Sequence, residues 1–325
     1  MKPLSILCIV TVATVAIGCG PASRPTGFRV GLVTPGSVAD AAWNSGAYRG
    51  LQQIAESLHV VVSNVEARSP AEQEDALRSY AAQGYQLVFA HGFEFQDAAE
   101  RVSHDYPKTV FIITSGERQV GNVAPLVFRI EEATYLCGMV AGGMSKTGKI
   151  GFVGGMELPP IVRGYDGWLR GARAVDPKVQ SRVIYLNSFD DAAAGREAAI
   201  QLMGLGVDML HHNADAAALG LFQAVKDHPG VYAFGANADQ SALAPGHVLG
   251  SAVIDLPRAL LLVAREVQDG RFVPHVESFG LKSGVVRYVS DPTLAAQVPA
   301  ALARRVAAAA DSISAGTLHP VPEQQ

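Results

Sequence analysis

From Phe28 onward the chain alternates short apolar runs with amphipathic stretches, and this alternation limits its fold more than any single motif does. Phe28–Val33, His59–Val65, Gln86–Ala90 and Thr109–Ile113 read as strands, and Ala41–Ser57, Pro70–Gln83 and Phe95–His104 between them read as helices. Strand and helix in series imply a parallel sheet covered on both faces, because each parallel strand needs a crossover to reach its neighbour. After Val123–Phe128 a long helix is expected from Glu131 to about Ser145. A second series follows: Lys149–Val153, Ile161–Val175, Arg182–Leu186, Ala192–Leu205, Asp208–His212, Ala216–Asp227 and Val231–Phe234. Each series has roughly the hundred residues of one doubly wound unit. The chain returns through Val248–Ile254 and a helix at Pro257–Gln268. It ends with a strand at Val285–Val289, an Ala-rich helix from Thr293 to about Ala315, and a polar tail, residues 317–325.

The first residues do not belong to this pattern. Lys2 supplies a positive charge, Leu4 to Ile17 is almost continuously apolar, and small residues precede Cys19. That is the layout of a secretory signal, residues 1–18, too short to span a membrane comfortably as a permanent helix. Cleavage before Cys19 leaves a cysteine at the mature N-terminus, as in the lipobox of bacterial lipoproteins, with residues 19–27 as a lipidated tether. The competing reading is a soluble secreted protein with an incidental cysteine. Of the three cysteines, Cys8 leaves with the signal and Cys19 takes lipid. Cys137 is then alone and no internal disulfide can form. The net charge of −4 and scattered arginines leave no basic footprint, so no nucleic-acid partner is expected.

Open α/β sheets bind ligands at the carboxyl ends of their strands, where backbone is exposed beside a crevice. The stretch Gly235–Asp255 shows this plainly: Val231–Phe234 runs into a Gly/Asn/Asp loop, turns at Pro245-Gly246 and leaves through Val248–Ile254, which marks it also as a hinge. Loops after the other strands add Trp43, Phe93 and Phe189 as flat apolar surfaces. The polar groups there are Asn44, His91, Gly92, Glu94, Asn187, Asn213, Asp215, Asn237 and Asp239. Aromatic walls with a few directional hydrogen-bonding groups suit a planar heterocycle, with or without a sugar. Any single aromatic is more often core, and any single Asn or Asp more often a turn former or cap. The expectation rests on the set.

Several stretches taken in order resemble the bacterial basic-membrane-protein family of lipoprotein receptors, which includes the purine nucleoside receptor. They are Ala42–Gly46 with Gly50-Leu51, His91–Phe95, Glu132–Gly138, Lys146–Gly155, Gly164–Gly171, Ser188–Asp191 and Gly206–Asp208. The resemblance covers nearly everything after Phe28. It implies an α/β chain of the type I periplasmic-binding-protein fold, two Rossmann-like lobes with parallel sheets joined by three crossovers. Lobe 1 would hold residues 28–130 and 252–279, and lobe 2 residues 131–251 and 280–316. It also implies a monomeric, lipid-anchored receptor outside the cytoplasm that hands a purine nucleoside or base to an ABC permease, without cofactor or metal. Trp43 and Asn44 fall on the family's base-binding aromatic-Asn pair. Asn237 falls where nucleoside receptors carry an aspartate for ribose, and Ile254 about where they carry a lysine. His211–Asp215 stands where many members have a Gly-rich turn. These departures leave open a free base or another heterocycle.

Two other patterns point elsewhere. Gly143–Lys149 fits the start of a phosphate-binding loop, but Ile150 replaces the hydroxyl residue that holds magnesium and the order is helix then strand, the reverse of what that loop requires. His211 and His212 are adjacent on an expected strand, so they point to opposite faces and cannot share one ion. An extracytoplasmic nucleoside-processing enzyme or a ligand sensor on the same fold is the competing function. No Gly-x-Ser-x-Gly elbow and no clustered Asp motif supports the enzyme, so a binding protein without catalysis is expected.

Overall fold

The computed structural model describes residues 27–40 and 42–322. The expected signal segment, Cys19 and all of the tether but Gly27 lie outside these residues. The described chain forms two six-stranded sheets. The first takes β1 (Arg29–Thr34), β2 (Val61–Glu66), β3 (Leu87–His91), β4 (Val110–Thr114), β5 (Val123–Phe128) and β11 (Glu277–Phe279), in the order β2-β1-β3-β4-β5-β11. The second takes β6 (Lys149–Gly154), β7 (Gln180–Tyr185), β8 (Met209–Asn213), β9 (Tyr232–Asn237), β10 (Val248–Ile254) and β12 (Val286–Ser290), in the order β7-β6-β8-β9-β10-β12. All neighbours run parallel except the β10–β12 pair. The central strands β3 and β8 are buried along their whole length, as expected for strands covered by helices on both faces. These are the two doubly wound units that the sequence pattern implied, in the two-lobed arrangement that the resemblance implied.

Helices α1 (Trp43–Leu58), α2 (Pro70–Ala82) and α3 (Gln96–Ser103) cover the first sheet, and α8 (Leu256–Gln268) packs on α1. Gly46 and Gly50 explain that approach: a Cβ on Gly46 would sit 2.9 Å from Leu256 Cδ1, and one on Gly50 3.1 Å from Pro257 Cα. The second sheet carries α4 (Ile130–Met144), α5 (Pro159–Val175), α6 (Ala192–Gly204), α7 (Ala218–Lys226) and α9 (Ala300–Ser314). Helix α4 is buried from Ile130 to Gly142, so it is covered on every side, with Glu131 and Glu132 buried in its first turn. It meets α5 almost backbone to backbone. A Cβ on Gly138 would lie 2.1 Å from Trp168 O, and one on Gly171 1.9 Å from Tyr135 O. Trp168, fully buried, closes the seam.

The stretch that resembles a phosphate loop is a helix-to-strand turn. Asp208 holds it: its carboxylate accepts from the Ser145 hydroxyl at 2.6 Å and from Lys146 N at 2.7 Å and Thr147 N at 3.1 Å. His211 packs with Trp168 and Phe234, and His212 with Phe222 and Gln240, on opposite sides of β8.

Three details differ from the sequence reading. Strand β11 is only three residues long and follows a segment without regular structure, so no periodicity announces it. Helix α9 starts at Ala300, not Thr293, because Pro299 stands at its cap and Asp291 accepts from Thr293 N and Oγ1 in a local turn. Residues Ala252 to Ile254, expected with lobe 1, lie in the second sheet, where Ala252 and Val253 pair with β9 and all three pair with β12. The chain therefore changes sheet at Asp255, whose carboxylate accepts from Arg258 N and caps α8.

The α4–α5 seam generates a stability prediction. Gly171→Ala forces a methyl into the Tyr135 carbonyl, and overpacking of this kind costs about 1–3 kcal/mol. Thermal unfolding of Gly171→Ala should show a melting temperature several degrees below wild type. Gly204→Ala, at a position with no heavy atom within 4 Å of the added methyl, should not fall below it.

Candidate functional site

The carboxyl ends of both sheets face a cavity of about 430 Å³. The first lobe contributes the loops after β1, β2 and β3, with Ser115 and Phe128 after β4 and at the end of β5. The second contributes the loops after β6, β7 and β8 and the ends of β9 and β10.

The loop after β1 is organised by Asp40. Its carboxylate accepts from Asn44 N at 2.7 Å and Ser45 N at 2.8 Å, and from Ala42 N at 3.3 Å, so it satisfies the orphan donors of the first turn of α1. A negative charge is also favourable there against the helix dipole. The turn thus fixed carries Trp43 and Asn44 into the cavity wall. Behind Trp43 lies His91, stacked at 4.2 Å between ring centroids and 24° between planes. The Trp43 carbonyl, 3.1 Å from His91 Nε2, can only accept, so Nε2 carries the proton. Nδ1 then accepts from the Thr114 hydroxyl at 2.9 Å. Burial lowers the His91 pKa to about 3, so the ring stays neutral. Phe128 meets Trp43 edge-on at 6.2 Å.

Asn44 is 6% exposed, and its buried Oδ1 has no hydrogen-bond partner. An unmade bond on a buried acceptor is costly, so such an atom on a cavity wall awaits a donor. Across the cavity, Asn237 Nδ2 donates to Asn213 Oδ1 at 3.3 Å and Asp215 Oδ1 at 3.4 Å, both long. Ser115, Asp215 and Asn237 hold φ of 59°, 45° and 64°. Left-handed backbone at non-glycine residues stores strain and gathers at functional sites. The Phe189 ring lies over Gly155, where a Cβ would be 2.2 Å from Cδ1. At the mouth, Arg68 of one lobe meets Asp190 of the other at 3.2 Å and also pairs with Glu66.

Two carboxyls in the cavity titrate high. Asp215 is pushed well above the usual carboxylate range, first by burial and then by the charges of Asp40 and Glu94. Glu94 touches the solvent of the cleft, but protein surrounds the cleft on nearly every side, and this enclosure raises its pKa too.

Of the residues singled out in the sequence, Trp43, Asn44, Gly92, Phe93, Glu94, Phe189, Asn213, Asp215 and Asn237 come together on the cavity wall. His91 does not: as the last residue of β3 it is fully buried and supports Trp43 from behind. Asp239 is exposed, with its carboxylate accepting from Ser241 N at 3.0 Å. The next residue, Gln240, takes the inward position and binds Ala236 N and His212 through Oε1 at 2.8 Å each. Asn187 is exposed in a left-handed turn outside the cavity wall. The sequence reading passed over Arg68, Gln73 and Ser188 and gave Asp40 no role. Arg68 follows a strand and precedes the capping box Ser69–Glu72, so the strand-end rule extended to β2 would have found it.

Raised pKa values tie the site to stability. Asp215 is more protonated in the folded than in the unfolded chain between the usual carboxylate range, near pH 4, and its own raised pKa. Stability therefore falls as pH rises through that window. Asp215→Asn should melt higher than wild type at neutral pH, with the difference disappearing below about pH 4. A variant that melts lower at neutral pH would mean that the carboxylate is paired and stabilising.

A family model described as ABC transporter substrate-binding protein PnrA-like matches residues 28–317. Basic membrane protein A2 of Borrelia garinii subsp. bavariensis is 30% identical over 302 residues, which cover 89% of this chain and 88% of that protein. A purine-binding protein of Brucella abortus is 29% identical over 282 residues, 86% of this chain and 79% of that one. Among solved structures, an ABC transporter solute-binding protein from Aeropyrum pernix superposes with a TM-score of 0.81 at 25% identity, over 89% of this chain and 92% of that one.

Proposed function

The chain belongs to the PnrA-like family of ABC-transporter substrate-binding proteins, and from that premise we propose that it is an extracytoplasmic receptor, lipid-anchored through Cys19, that captures a purine-like heterocycle and delivers it to an ABC importer. One observation carries the ligand class: Trp43, backed by His91 and fixed by Asp40, stands beside the unpartnered Asn44 Oδ1 in a cavity closed by Phe189. A platform and an acceptor side by side fit a flat ring with an N–H at its edge. The cavity volume of about 430 Å³ suits a base or nucleoside. The name of the Brucella relative, a purine-binding protein, agrees with this reading.

Between base and nucleoside, the cavity favours the base. Ile254 presents an aliphatic chain, and the Asn237 amide donates within its own lobe, so neither offers a free donor to a ribose oxygen. Unpaired polar groups on burial cost about 1–3 kcal/mol each.

Calorimetric titration of adenine, guanine, hypoxanthine and their ribonucleosides tests the proposal. A base should bind at least as tightly as its nucleoside, and a nucleoside preferred by about a hundredfold, near 2.7 kcal/mol, would show that ribose is recognised. Trp43→Ala should weaken binding by roughly one to two decades, the 1–3 kcal/mol of stacking per base. Loss of thermal stability without loss of affinity would make Trp43 a core residue only.

No helix among the described residues is long and apolar enough to cross a membrane. Attachment through Cys19 is therefore tested directly: Cys19→Ala should release the protein or leave it unprocessed. Normal cleavage with unchanged membrane retention would overturn the anchor.

A further inference from the structure

Among the described residues, the charged groups that line the cavity are four carboxylates, Asp40, Glu94, Asp190 and Asp215, and one guanidinium, Arg68. Arg68 is committed to Glu66 and Asp190. Asp40 is committed to the first turn of α1. Glu94 and Asp215 remain, from opposite lobes, and the donor that reaches the Asp215 carboxylate is the distant Asn237 amide. The unpartnered Asn44 Oδ1, nine-tenths buried, is a third acceptor. The Asn237 Nδ2 donor is engaged by Asn213 and Asp215. Carboxyls in the cavity therefore outnumber cations, and the one guanidinium is already paired, leaving Glu94 and Asp215 without a cationic partner among the described residues.

Resting on the heterocycle reading above, we propose that the site selects planar heterocycles that carry positive charge, protonated or N-alkylated on the ring, and rejects phosphorylated ones. Glu94 from one lobe and Asp215 from the other then share the cationic ring edge while Trp43 stacks on its face, and Asn44 Oδ1 takes an N–H. A ring cation over an aromatic face and hydrogen-bonded to carboxylate is favoured on both counts. A phosphate would meet the four carboxylates with Arg68 already engaged.

The same geometry fixes the sign of the pH dependence. Before binding, burial, Asp40 and Glu94, with Asp190 contributing the same way, favour the protonated form of Asp215. A bound cation favours the carboxylate, so binding shifts Asp215 toward proton release and affinity rises with pH as long as the ligand stays charged.

The experiment is calorimetry on the purified full-length protein at pH 7 with two isomers, 1-methyladenosine, a cation, and N6-methyladenosine, which is neutral. Adenosine 5′-monophosphate serves as the anion and agmatine as a non-aromatic cation. The cation should bind at least about tenfold tighter than its neutral isomer, about 1.4 kcal/mol, with proton release seen as a dependence of heat on the buffer's ionisation enthalpy. The monophosphate should bind weakest. In Asp215→Asn, and independently in Glu94→Gln, the ratio between the isomers should collapse to within about threefold. Equal binding of the two isomers, a preference for the neutral one, or an unchanged ratio in both variants overturns the proposal. Binding of agmatine with no heterocycle bound overturns the heterocycle reading instead and leaves the charge preference standing.

Discussion

The two lobes work as one site because their crossings are tied to one another by hydrogen bonds. Arg129 N, where the chain first leaves the first sheet, donates to Phe279 O at 2.8 Å, where it last leaves it. Glu132, in the first turn of α4, accepts from Leu281 N at 2.7 Å. Gly280 permits that contact, since a Cβ there would stand 2.4 Å from Glu132 Oε2. The middle crossing is held by Asp255 N donating to Val285 O at 2.7 Å. The joint keeps the strand ends of both sheets aimed at one cleft.

Rigidity and strain are separated in this protein. The α4–α5 seam is built from glycines and a buried tryptophan. The cleft instead holds a buried carboxyl with a raised pKa, an unpartnered amide oxygen and three non-glycine residues in left-handed backbone. Each of these is unfavourable for folding. His91 joins the two regimes: its neutral ring belongs to the core, and its contact face sets the plane of Trp43.

Alternation of apolar runs made the two sheets readable, because a six-residue run between amphipathic stretches has few alternatives. The rule that ligands meet strand ends then located most of the cavity wall. What it could not resolve was side-chain direction. His91 ends β3 and turns into the core, and Asp239 loses the inward position to Gln240, whose side-chain oxygen meets His212 and Ala236 N while its backbone N–H donates to the Ser251 hydroxyl. Those choices depend on contacts between residues far apart in the chain. Asp40 was hidden for another reason: it caps α1 from three residues before Trp43, and the short separation in sequence looks like an ordinary turn. Strand β11 was invisible because three residues carry no period.

The ion pair at the cleft mouth limits how closure can be driven. Arg68 and Asp190 leave 58% and 60% of their side chains exposed, and pairs of this kind contribute little and are screened by salt. Arg68 also has Glu66 beside it, so opening the cleft does not strand its charge. The pair can orient the lobes as they approach but cannot hold them shut. A ligand shifts such an equilibrium only by the difference in its affinity for the two states. That difference must come from groups supplied by both lobes at once, Trp43, Asn44 and Glu94 on one side and Phe189 and Asp215 on the other. An occupant that touched one lobe alone would leave the equilibrium between any two lobe arrangements unchanged.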